Sequence, residues 1–133
     1  MKTLDKKNAT VIAESLISSK PQDFMLGEYS DLAWQTAVYP QTGIESLAYP
    51  TLGLAGEAGE VAEKAKKIIR DKNGRMTKTD VEEIAKELGD VLWYVNACAR
   101  KIGVSLPEIA RRNLAKLYSR QERGKLHGKG DNR

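Results

Sequence analysis

Val81, Ile84, Leu88, Val91, Val95, Cys98 and Ile102 recur at alternating intervals of three and four residues, the period of one helix face and not of a strand. Thr79-Asp80-Val81-Glu82 reads as a capping box just ahead of that run, and Gly103 is its natural stop. A second capping box, Ser105-Leu106-Pro107-Glu108, opens a further helix with Ile109, Leu114 and Leu117 among its apolar positions. Upstream, a long helical pattern runs to about Arg70 and is closed by Asn73-Gly74. Proline fits a first turn but not an interior, so Pro50 sets the start of that helix near Tyr49 to Thr51. Shorter helices are expected from about Asp5 to Ser18, ended by Pro21, and from about Ser30 towards Tyr39, ended by Pro40. Strand signals are weak throughout. The fold expected is all-α, an antiparallel bundle of four to five helices joined by short loops. It divides into an N-terminal helical segment over 1–27, a helical domain over 28–120 and a basic, glycine-rich tail over 121–133.

Two pairs of acids lie inside these helices. Glu57 and Glu60 are spaced i, i+3 on the third helix, and Glu87 and Asp90 repeat the spacing on the fourth after twenty-six intervening residues. Residues so spaced project from one side of a helix, where like charges repel. On the fourth helix the stripe Glu83, Glu87, Asp90, Tyr94 runs beside the apolar seam; on the third, Leu54, Ala58, Val61, Ala65 and Ile68 lie one residue from Glu57, Glu60, Lys64 and Lys67. If the two helices pair antiparallel, all four carboxylates converge at one edge of the interface, an arrangement that needs a cation. A solvated acidic face is the alternative. Gly53, Gly56 and Gly59 sit inside the third helix, where each costs about 1 kcal/mol relative to alanine, so close approach of a ligand or a helix is the expected compensation.

Carboxylates without His or Cys are hard oxygen ligands that select magnesium, manganese or calcium over zinc or copper. The single His127 lies in the tail, which argues against a di-iron bundle, and Asp71-Lys72-Asn73-Gly74 does not continue as a calcium-binding loop. Magnesium held by several carboxylates is the usual partner of a phosphate-bearing substrate. The chain has 133 residues, enough for one domain with a modest core. One cysteine rules out a disulfide framework, and no signal-peptide or membrane-length apolar run is evident, so a soluble cytoplasmic protein is expected. The net charge of +4 is uneven: residues 111–133 carry eight Lys or Arg against Glu122 and Asp131. An acidic body with a basic end suits an anionic ligand beside a metal site, with nucleic acid as a lesser possibility.

Leu52-Gly53-Leu54-Ala55-Gly56-Glu57-Ala58-Gly59-Glu60-Val61, followed by Glu87-Leu88-Gly89-Asp90-Val91-Leu92-Trp93-Tyr94, resembles the MazG-like nucleoside triphosphate pyrophosphohydrolases of the all-α superfamily, whose signature is Glu-x-x-Glu, a spacer and Glu-x-x-Asp. The resemblance covers roughly residues 30–120. It implies hydrolysis of a nucleoside triphosphate to the monophosphate and pyrophosphate, with Glu57, Glu60, Glu87 and Asp90 as catalytic ligands of Mg2+, with Mn2+ as its substitute. Glu63 is a supporting candidate. The resemblance also implies a homodimer or homotetramer. Relatives that act on phosphoribosyl-ATP or deoxyuridine nucleotides share the same acids, so the base and sugar stay open.

Phosphate left uncovered by metal needs cationic or hydrogen-bonding donors. Lys67 lies two turns beyond Glu60, with Lys64 and Arg70 as neighbours; Tyr94 shares the stripe of Glu87 and Asp90. Asn113 and Lys116 on the last helix are implied by the resemblance. Trp34, Gln35, Tyr39 and Tyr49 are the groups available for the base, a stacked ring plus an amide giving a loose pocket. The tail ending Gly130-Asp131-Asn132-Arg133 resembles extensions that close over a site. The rival reading is a helical module that binds nucleotide or nucleic acid without turnover.

Overall fold

The computed structural model describes residues 6–21, 24–125 and 127, so the expectations for the tail beyond Lys125 fall almost wholly outside the described residues. Five helices follow in order: α1 (Lys6–Ser18), α2 (Leu26–Trp34), α3 (Glu45–Lys72), α4 (Lys78–Lys101) and α5 (Leu106–Glu122). No strand occurs among the described residues, and the all-α expectation holds. No helix is long and apolar enough to cross a membrane among them. The long helices α3 and α4 form an antiparallel hairpin, while α2 and α5 pack against one end of α4. α1 makes no close backbone approach to the other helices.

The hairpin turn is built as the sequence implies. Asn73 ends α3 in the left-handed region at φ 50°, Gly74 follows at φ 76°, and the Gly74 amide donates to the Ile68 carbonyl at 3.1 Å. The cap of α4 lies two residues earlier than expected. Thr77 is the N-cap, and it exchanges bonds with Asp80: the Asp80 amide donates to Thr77 Oγ1 at 3.2 Å, and the Thr77 amide donates to Asp80 Oδ2 at 2.8 Å. The shorter Asp side chain serves the third position of the box in place of Glu82. Lys72 donates to the same carboxylate at 2.5 Å from the end of α3. With that ammonium first and Thr77 next, the Asp80 carboxyl is held down to about 2. Ser105 caps α5 as expected, accepting from the Glu108 amide at 3.3 Å, but the Glu108 carboxylate pairs forward with Arg111 and Arg112 instead of turning back.

Two boundaries differ from the sequence reading. α3 begins at Glu45, which places Pro50 inside the helix. Proline removes one helical hydrogen bond, yet Pro50 is almost wholly buried, and the neighbouring Tyr49 ring stacks on Tyr39 with centroids 4.8 Å apart. Thr51 Oγ1 donates to the Leu47 and Ala48 carbonyls and so occupies acceptors in the disturbed turn. α2 runs over Leu26–Trp34, earlier than Ser30 to Tyr39. The chain turns off after Trp34 through tight i to i+3 bonds and tucks Ala37 and Tyr39 beneath α4, where they form the core with Ala97, flanked by Trp34 and Trp93.

A polar lock ties α2 to α4 at this core. Ser30 Oγ donates to Asn96 Oδ1 at 2.7 Å, Asn96 Nδ2 returns a bond to the Ser30 carbonyl at 3.1 Å, and Arg100 donates to Ser30 Oγ while pairing with Asp31. Asn96 is only 1% exposed, so its amide depends wholly on these partners. Trp93 adds a bond from Nε1 to Thr36 Oγ1 at 2.8 Å. Asn96→Ala is therefore expected to lower stability by roughly 2 kcal/mol, because it leaves Ser30 without its buried partner. Urea unfolding followed by circular dichroism checks this; a midpoint unchanged from wild type would show that the lock contributes nothing net.

Candidate metal and nucleotide site

The seam of the hairpin is not the one that apolar periodicity implies. On α4 the least exposed positions away from the core are Asp80, Ile84, Glu87, Val91 and Tyr94, whereas Val81, Leu88 and Leu92 are exposed. On α3 the matching set is Leu54, Glu57, Val61, Lys64 and Ile68, and Ala58 and Ala65 face outward. Both helices thus keep half of the expected stripe, Leu54, Val61 and Ile68 on α3 and Ile84 and Val91 on α4, and take the alternate positions one residue earlier. The pairing is fixed by what touches across it: Lys64 reaches Glu83 and Glu87, Lys72 reaches Asp80, and the Tyr94 ring lies on the backbone of Gly53. A Cβ at Gly53 would come within 2.2 Å of Tyr94, so this glycine is required by a side chain of the same chain. At Gly56, Gly59 and Gly89 nothing lies within 4 Å of an added Cβ.

Turning the seam this way puts acids in it. One carboxylate oxygen each from Glu57, Glu87 and Asp90 come within 4.8 Å of one another, a spread that modest side-chain rotation would close to metal–oxygen bonds of about 2.0–2.6 Å around one ion. Glu60 stands outside this group on the exposed side of α3, near enough that its charge acts on Glu57. Partial burial pushes the Glu57 carboxyl above its ordinary range, and the charges of Glu60, Asp90 and Glu87 push the same way. Three clustered oxygen donors with no nitrogen or sulfur fit a hard divalent cation, which would relieve that repulsion.

The remaining expected residues fall into three places. Lys64 and Tyr94 border the acids: Lys64 Nζ lies 3.2 Å from Glu87 Oε1, and burial raises the Tyr94 phenol, with the nearby Tyr49 and Glu57 adding to it. Lys67 is one turn further along α3, paired with Glu63 at 3.4 Å, and lines a polar cleft of about 240 Å³ with Lys64, Lys72 and Glu83. Asn113 and Lys116 are exposed on α5. Tyr39 is in the core, edge-on to Trp34 and Trp93, and Trp34 packs beside it with Arg100 and Lys101 over its ring. Both rings are held by packing in the chain as folded. Gln35 is placed differently, on a largely apolar cleft of about 570 Å³ between α1 and α2 that Trp93 closes from α4.

Tyr29 joins that cleft to the acids and was not singled out from sequence. Its ring lines the cleft, and its phenol is raised first by burial and then by the charge of Asp90. The boundary hides the signal: a second helix begun at Ser30 leaves Tyr29 outside it, whereas α2 begins at Leu26 and includes it.

The protein-family model of the MazG nucleotide pyrophosphohydrolase domain matches residues 45–124, which takes in α3, α4 and α5 and all four paired acids. The Gene 37 protein of Mycobacterium phage L5 is 50% identical over 109 residues, 79% of this chain and 96% of that protein. No solved structure matches. With its two acid pairs on the matched hairpin, the chain belongs to the MazG nucleotide pyrophosphohydrolase family.

Proposed function

We propose that the chain hydrolyses nucleoside triphosphates to nucleoside monophosphate and pyrophosphate, with Mg2+, or Mn2+ in its place, held by Glu57, Glu87 and Asp90. The observation that carries this reading is the convergence of those three carboxylates inside the matched hairpin. The bound ion supplies charge neutralisation of phosphate oxygens and of the pyrophosphate that leaves. Glu60, one turn along α3 and turned to solvent, completes the ligand set or orients the attacking water. Tyr94 offers its hydroxyl beside Glu57, and Lys67 offers an ammonium on the cleft towards the hairpin turn. Asn113 and Lys116 enter this reading by resemblance alone.

The base belongs in the cleft between α1 and α2. Its walls are apolar, Trp93 and Tyr29 present aromatic surface, and Gln35 supplies an amide. Tyr29 lines this cleft and its phenol feels the charge of Asp90, which supports a nucleotide placed with its base in the cleft and its phosphates towards the acids. An assay for pyrophosphate across ribo- and deoxynucleoside triphosphates, with phosphoribosyl-ATP and dUTP included, tests the reading. Release is expected from at least one nucleoside triphosphate, falling more than about a hundredfold in Asp90→Asn and Glu57→Gln with helix content unchanged. Nucleotide binding with no pyrophosphate from any of them would support the non-catalytic module instead.

A homo-oligomer belongs to the same reading. Leu52 and Ile69 on α3 are 74% and 71% exposed, and Val81, Leu88 and Leu92 form an uncovered stripe on α4. With the seam occupied by charged groups, these apolar residues are covered only by another surface, and a second copy of the hairpin has the same need. Light scattering is expected to give the mass of two or four chains for the wild type and a lower mass for Leu88→Glu. A single-chain mass for the wild type at micromolar concentration would contradict it.

A further inference from the structure

Lys64 is a cation set into the seam of the acids themselves. Its ammonium lies 3.2 Å from Glu87 Oε1 and 3.4 Å from Glu83 Oε2, and its side chain is 26% exposed against 16% for Glu87. The further ion pair between α3 and α4 among the described residues, Lys72 with Asp80, serves the helix cap. Lys64 instead bonds one of the three carboxylates that converge towards the ion position. Glu87 is one full turn beyond Glu83, so a single ammonium spans both. Of these two partners, Glu83 is the exposed one and lies outside the convergent group.

We propose that Lys64 is a displaceable counter-ion of the metal centre. It neutralises Glu87 in the ion-free chain, competes with the divalent cation for that carboxylate, and moves onto Glu83 when the cation binds. The inference rests on the metal-centre reading above. Two like charges cannot both sit close to Glu87 without repulsion, and the Glu83 carboxylate, already within reach, gives the ammonium somewhere to go at little conformational cost. The same pairing explains how an acidic seam packs at all without an ion. A half-buried carboxylate is tolerated when a cation is paired with it.

Calorimetric titration of Mn2+ into nucleotide-free protein tests this with the wild type, Lys64→Met, Glu83→Gln and the double variant. Lys64→Met keeps the length of the side chain and removes its charge, and is expected to bind Mn2+ about fivefold more tightly. Glu83→Gln is expected to bind it more weakly, because the ammonium is left on Glu87, and that weakening should largely vanish when position 64 is Met. Unchanged or weaker binding by Lys64→Met overturns the proposal, as does an equal effect of Glu83→Gln in both backgrounds. If the wild type binds Mn2+ and Lys64→Met does not tighten it, only this inference falls. No uptake by the wild type removes the metal centre as well.

Discussion

Charge occupies the seam of the α3–α4 hairpin at the positions where paired helices ordinarily place leucine and isoleucine, and the rest of the molecule is arranged around that substitution. Glu57, Lys64 and Glu87 take seam positions between Val61, Ile68, Ile84 and Val91. The hairpin is held by cross-helix ion pairs, a capped turn and the close fit of Tyr94 on Gly53. Partly exposed pairs of this kind are each worth little, so the hairpin's stability must be drawn from elsewhere.

It is drawn from the other end of α4. There α2 and the segment after it gather around Ala97, Tyr39 and Trp93, α5 packs on α2 and α4, and the Ser30–Asn96 exchange ties α2 to α4. The fold thus separates two tasks along one helix. The C-terminal half of α4 is buried and locked; the N-terminal half carries the acids. Trp93 and Tyr94 stand at the junction, one ring turned to the α2 side and the cleft, the other to α3. A rigid anchor beside a repulsive cluster keeps the carboxylates convergent, where a looser hairpin would let them move apart.

Much of this is legible in the sequence, and the exceptions share a cause. Asn73-Gly74 and Gly103 mark helix ends through backbone conformation, which is local, and both stand where expected. The start of α3 is not local: an interior proline is unfavourable by propensity, and burial of Pro50 beside the stacked Tyr39 and Tyr49 overrides it. Periodicity identifies which side chains share a face of α4, but not which face α3 takes. A rotation of about 50°, half the angle of one residue, keeps Ile84 and Val91 and exchanges Val81 and Leu88 for Asp80 and Glu87 in the seam. The acids could be named because their spacing is itself the signal. Asn96 and Tyr29 could not, since a polar residue in an apolar run and a ring ahead of an assumed helix start acquire meaning only from partners some sixty residues away.

Thermal unfolding across a series of Mg2+ or Mn2+ concentrations tests most directly whether the hairpin is built to hold a divalent ion. An ion that binds only the folded chain raises the midpoint progressively with its concentration. The account predicts that rise for the wild type, and for Glu57→Gln a higher midpoint without ion together with a much weaker response to it. A wild-type midpoint indifferent to divalent ions, with Glu57→Gln no more stable than the wild type, would contradict it.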